Sequence, residues 1–297
     1  MKPLARPLTA AVPWGDLALL LTTGLVALYP LARFWSGNPD YLFGWGVPFL
    51  AAYLVLDRWR VRPARSFSTE ERPRWMMGLM VLAWGMVLLL TRLLLEMVPD
   101  WRPALWLEVS LYGGAVLAWC GLYGGVGWWR HFLFPVAFLF LSVPWLFDLE
   151  FPLVQGLMRW NALLASGSLR LLGTPAEAQG NIIQLANCRL GVEEACSGIR
   201  SLQAGLMMSV FLGEFYRLNG ARRLLLAGLA LLFALGGNYG RLLFLAWQGA
   251  HGGISTVEAL HDSAGFGILA FTVPGLWLMS MFLRGPDTIR RSRTPLP

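Results

Sequence analysis

Three side chains of this chain could do chemistry together. Cys196 lies in VEEACSGIRSLQ. A thiol at the start of a helix faces unpaired backbone N–H groups and the positive end of the helix dipole, and both favour the nucleophilic thiolate. Glu193 and Glu194 oppose that ionisation, so a nearby cation is required. Ser197 and Gly198 permit close backbone approach. Arg241 follows GGNYG, a run with little helix propensity, where an obligate cation points at a polar pocket. His261 opens HDSAGFGILAF; Asp262 reads as a helix cap, and the glycines let backbones pack closely. A thiol nucleophile, an imidazole that moves protons and a cation that offsets oxyanion charge form an acyl-transfer set. Taken singly, each has a plainer reading as a small buried hydrophobe, a snorkelling arginine or a packed histidine.

Other polar residues surround this set. Glu194, Ser197, Arg200, Asn238 and Asp262 are expected to bind substrate or to support the three. Cys120, in AWCGLYGG, reads as a buried hydrophobe. Cys188 precedes Cys196 by eight positions, which allows a disulfide or a metal pair, but no second ligand pair supports zinc. No metal and no cofactor are expected. His131, beside Arg130, reads as an interface residue, and His251, in GAHGGIS, as part of a flexible loop. Arg92, Glu96 and Glu108 lie within apolar runs and read as structural; Arg92 and Glu96 have the helical ion-pair spacing.

The elements that must position these residues follow from composition. Hydrophobic residues make up 56% of the 297 and charged residues only 14%, against roughly a quarter in soluble domains. Disorder, a disulfide-dense secreted module and an ordinary cytosolic enzyme are excluded. What remains is an all-α integral membrane protein. A bilayer core of about 30 Å needs roughly 20 apolar residues per helix. Eight runs qualify, near 15–33, 41–57, 76–97, 103–126, 131–148, 196–216, 222–247 and 262–283. The first reads as a retained helix, not a cleaved signal. One polytopic domain spans 1–297, without tandem repeats or a linker.

The net charge of +7 sits in short clusters between apolar runs, which suits membrane orientation better than nucleic acid. Lys2 and Arg6, the run from Arg58 to Arg74, Arg130, Arg217 to Arg223, and Arg284 to Arg293 all fall on one side when eight helices alternate. Both termini are then cytoplasmic. Arg241 lies 19 residues beyond Arg222, about 28 Å along a helix. The same topology therefore brings Cys196, Arg241 and His261, from three successive helices, to one outer depth.

One connection is long. Residues 149–195 link the fifth and sixth helices on the outer, periplasmic side. Within it, 151–172 reads as an interfacial amphipathic helix, GTPAEAQGN as a loop, and IIQLANCRLGVEEA as a strand or hairpin.

At EACSGIRSLQ (194–203), NYGRLLFL (238–245) and HDSAGF (261–266) the sequence resembles the exosortase/archaeosortase family of membrane sorting transpeptidases. FPVAFLFLSVPW (134–145) resembles the family's Pro-interrupted helix before the outer loop. The resemblance covers about 30–285 and is most specific in the C-terminal third. It implies a Cys–Arg–His active site at Cys196, Arg241 and His261. It also implies, as partners, exported proteins ending in a short motif such as Pro-Glu-Pro, a transmembrane helix and a basic tail. The setting implied is the inner membrane of bacteria that make extracellular polysaccharide, with the site facing the periplasm. Rival readings are a transporter or polysaccharide-export component, with Arg241 and Asp262 lining a substrate path, and a scaffold for a secretion machine.

Overall fold

The computed structural model describes residues 14–64 and 74–284. Among them it has nine α-helices and one three-stranded sheet. Five helical segments are long and apolar enough to cross a membrane, or six if one broken pair counts as a single span. The chain divides into two compact units, one running to Leu146 and the other starting at Phe147.

The first unit contains α1 (Trp14–Gly37), α2 (Gly46–Arg60), α3 (Arg74–Met97), α4 (Arg102–Gly124) and α5 (Val126–Phe138). Its core gathers Leu31, Trp35, Tyr41, Leu105 and Val109. The Trp35 indole N–H donates to the Ser142 carbonyl at 2.9 Å, satisfying the one polar atom of a fully buried ring. The fifth helix starts earlier than expected, at Val126, because the chain turns in the single residue Gly125; Arg130 therefore lies inside α5 and not in a connection. Arg92 pairs not with Glu96 but with Glu108 of α4, Nε to Oε1 at 3.4 Å, while Glu96 faces Arg33 at 3.8 Å. Glu108 is buried and also accepts from the Thr91 hydroxyl at 3.1 Å. Leaving the buried Glu108 carboxylate unpaired would be costly, so it takes the arginine in preference to the exposed Glu96. His131 Nε2 lies 2.9 Å from the Arg58 carbonyl.

The second unit contains α6 (Phe147–Leu171), the strands β1 (Ala176–Gln179), β2 (Ile182–Leu185) and β3 (Arg189–Gly191), then α7 (Ile199–Phe215), α8 (Gly220–Gly252) and α9 (Ile254–Phe282). Helix α6 covers the expected amphipathic stretch. Val154, Met158, Asn161, Ala162, Ala165 and Leu169 form its buried stripe, and Trp160, Leu163 and Leu164 stand exposed. The hairpin expected at IIQLANCRLG is β2–β3. The expected loop before it is corrected: Ala176–Gln179 adds an antiparallel strand, pairing Ala178 with Ile183. Alternation explains the sheet, since Ile183, Leu185, Leu190 and Val192 are buried while Ile182, Arg189 and Gly191 are exposed.

Helices α7, α8 and α9 pack against one another. Helix α8 is longer than its apolar run, at 33 residues, and runs unbroken through GGNYG to Gly252. Its buried stripe of Leu226, Ala230, Ala234, Asn238, Leu242, Leu245 and Gly249 keeps a helical period, so packing overrides the weak local propensity. His251, expected in a flexible loop, sits in the last turn of α8, its Nδ1 2.8 Å from the Trp247 carbonyl. The break comes at Gly253, whose φ of +75° disfavours any other residue. Helix α9 starts there, so His261 and Asp262 lie inside it. The cap is Gly253, not Asp262, whose side chain falls outside the described residues.

Large apolar side chains crowd the outer faces: Leu25, Leu82, Leu89, Leu224, Leu232 and Phe282 are all exposed by more than half. Patches on this scale are a liability in water and a match for lipid. The chain is a multi-pass membrane protein.

Candidate active site

All three expected chemical side chains meet in the second unit. Cys196 ends a 3-10 turn, Glu194–Cys196, that stands just ahead of α7. It is 7% exposed. Its Sγ lies 3.1 Å from His261 Nε2. Arg241 approaches the same ring nitrogen, with Nη2 at 3.1 Å, and donates to the His261 carbonyl, also at 3.1 Å. One imidazole nitrogen thus touches both the sulfur and the guanidinium.

That arrangement sets the direction of one hydrogen bond. A guanidinium only donates, so His261 Nε2 accepts from Arg241 and carries a lone pair. Burial pushes the Cys196 thiol above its ordinary pKa. Arg241 pulls it back down, the Glu193 carboxylate pushes it up, and a Glu193 backbone hydrogen bond and Arg200 pull it down. Cys196 precedes α7 by three residues, and desolvation outweighs the local dipoles.

The turn that carries the thiol is anchored from two helices. Asn238 of α8 donates to the Cys196 carbonyl at 2.9 Å, and Asn161 of α6 donates to the Ser197 carbonyl at 3.0 Å. All four residues are buried. The turn's own N–H groups are occupied: Cys196 N–H donates to the Glu193 carbonyl and Ser197 N–H to the Glu194 carbonyl, both at 2.9 Å. Ser197 is fully buried, and its hydroxyl accepts from Ile199 N–H at 3.3 Å. Gly198 sits at φ +92° and ψ 2°, a left-handed conformation in which a Cβ would lie 2.9 Å from Asn238 Cγ. The expected close backbone approach at Ser197 and Gly198 is present.

The NYGR run serves three partners within one helical turn. Asn238 holds the Cys196 turn, the Tyr239 hydroxyl lies 2.6 Å from Ser168 Oγ of α6, and Arg241 reaches His261. Gly265, one turn beyond His261, leaves room for the guanidinium; a Cβ there would touch Nη2 at 3.5 Å. Arg200 lies in the first turn of α7, half-buried. The Glu194 side chain is exposed.

A cavity of about 450 Å³ opens beside Cys196 and His261. Leu242, Leu245, Ile254 and Val257 give it an apolar wall; Arg189, Glu193 and Glu258 bring charge to it. Cys188 does not join Cys196: both thiols are free, and the Cys188 Sγ is 3.6 Å from the Gly249 carbonyl.

A family model described as transmembrane exosortase matches residues 35–288, most of the chain. The chain belongs to that family. No curated protein and no solved structure matches it. Within this exosortase family member, the sequence reading missed Asn161, Arg189 and Glu258. Asn161 had a signal, an amide on the apolar stripe of an amphipathic helix. Arg189 and Glu258 had none, because only tertiary packing brings strand β3 and the first turns of α9 to the cysteine.

Proposed function

We propose that this chain is a cysteine transpeptidase that cleaves C-terminal sorting signals of exported proteins, its site facing the periplasm and both termini in the cytoplasm. The observation that carries the reading is the convergence of sulfur, imidazole and guanidinium at His261 Nε2. The proposed substrates end in a short motif of the Pro-Glu-Pro kind, a transmembrane helix and a basic tail, as the family resemblance implies.

In the proposed reaction the Cys196 proton passes to His261 Nε2 as sulfur attacks the scissile carbonyl. Protonation removes the lone pair that Arg241 was donating to, and like charge separates the two cations. The guanidinium is then released toward the new oxyanion. The turn supports this assignment: its Cys196 and Ser197 N–H groups are already committed, so a side-chain donor fits the role. Collapse of the tetrahedral intermediate breaks the C–N bond, and His261 returns the proton to the leaving amine. A Cys196 thioester remains. An acceptor amine, or water, gives its proton to His261 and attacks the thioester, restoring the thiol.

The test is co-expression of the chain with one exported protein carrying such a tail, read by mass spectrometry of the mature C-terminus. Cys196→Ala leaves the full-length precursor. A precursor still shortened in cells carrying Cys196→Ala refutes the nucleophile.

A further inference from the structure

The cavity beside the cysteine lies along one of the two edges of the sheet. Strand order is β1–β2–β3, so β3 has a neighbour on one side only. In an antiparallel pair, residues alternate between those whose N–H and C=O point at the partner and those whose groups point away. Leu190 pairs with Ile183, Leu185 N–H donates to the Cys188 carbonyl and Val192 N–H to the Asn181 carbonyl. Positions 188, 190 and 192 therefore face β2. Arg189 and Gly191 turn their backbone N–H and C=O groups outward, and both residues line the cavity that Cys196 and His261 also line. A Cβ on Gly191 would meet nothing within 4 Å.

Exposed strand edges are templates for pairing, and proteins normally blunt or cover them. Here the edge faces a cavity that ends at a nucleophile. We propose that this site binds its substrate peptide in extended form, as an added antiparallel or parallel strand on β3. The main-chain groups of Arg189 and Gly191 fix its register. Alternate side chains of the added strand point to one face, and the wall of Leu242, Leu245, Ile254 and Val257 selects apolar ones. Backbone pairing supplies affinity without sequence, and the wall supplies the preference. The inference rests on the acyl-transfer reading above and adds how the peptide is held.

Purified full-length chain in detergent tests it with acetyl-Ala-Val-Ala chloromethyl ketone, which alkylates a thiol with loss of chloride while the thiol proton passes to base. Two analogues carry a backbone N-methyl group, one at the first Ala and one at Val. Strand pairing uses every second amide, so one analogue should label Cys196 at least tenfold more slowly than the parent and the other should not. Gly191→Pro deletes only the outward N–H, which β2 does not use, and should slow the parent reagent to the same degree. Gly191→Ala keeps that N–H and should label the parent reagent at least tenfold faster than Gly191→Pro, and iodoacetamide should label all three proteins alike. Equal rates for parent and both analogues on the wild-type chain overturn strand addition, as does a wild-type rate for Gly191→Pro. Should Gly191→Pro also lose iodoacetamide reactivity, the site is distorted and the analogue rates on the wild-type chain decide. These outcomes are separate from precursor cleavage by Cys196→Ala, which would overturn the nucleophile instead.

Discussion

Gly198→Ala offers a sharp test of how the nucleophile's turn is built. The residue sits at φ +92°, and holding alanine in a left-handed conformation costs about 1–2 kcal/mol. The new methyl carbon would also lie 2.9 Å from Asn238 Cγ and 3.0 Å from its Cβ and Nδ2. Carbon contacts are optimal at about 3.5–4.0 Å, so the side chain must move, at a cost of about 1–3 kcal/mol for an overpacked site. Moving Asn238 breaks its 2.9 Å hydrogen bond to the Cys196 carbonyl, about 1 kcal/mol more. Together these give about 3–6 kcal/mol, much of the margin of a typical protein. The overlap is separable from the backbone cost by a double-mutant cycle with Asn238→Gly. Glycine is needed because Asn238 Cβ is itself one of the clashing atoms. In that background Gly198→Ala should cost only about 1–2 kcal/mol, so the two substitutions couple by about 2 kcal/mol or more. Denaturant unfolding of the full chain in detergent micelles measures all four corners. Additivity within about 0.5 kcal/mol would refute the claim that Gly198 is required by Asn238.

Two further substitutions probe the electrostatics of the thiol. Arg241→Gln should lower turnover by roughly a hundred- to a thousandfold, the usual loss for one oxyanion donor. Because Arg241 holds the thiol pKa down, the same change should move the pH profile of Cys196 alkylation by iodoacetamide upward; an unmoved profile would show that the guanidinium does not act on the sulfur. Glu193→Gln removes a carboxylate that pushes the thiol up, so its alkylation profile should move to lower pH. A shift the other way would contradict the arrangement of charge around Cys196.

Much of the site was legible from residue types. The EACSGIRS, NYGR and HDSAGF runs carry the three reactive side chains, and alternation of apolar runs with basic loops was enough to expect Cys196, Arg241 and His261 at one depth. What misled was local propensity. GGNYG looked like a weak helix and is mid-helix, because Asn238 and Leu242 continue a buried stripe. His261 looked like a helix start and is a full two turns inside α9, because Gly253 supplies the break. The Arg92–Glu96 spacing looked like an ion pair, and a buried carboxylate on a neighbouring helix took the arginine.

The sequence alone therefore determined the solvent the protein folds in and the chemical groups it brings to a reaction, since hydropathy and residue type are properties of the chain. Tertiary structure alone decided the surroundings of those groups. Burial pushes the Cys196 thiol up because packing removes water from it. The His261 ring meets a guanidinium 20 residues away in sequence, 3.1 Å from its Nε2. Strand β3 opens onto the cysteine because a sheet and two helices share one cavity. Desolvation and hydrogen-bond direction depend on distances in space, which spacing along a chain does not encode.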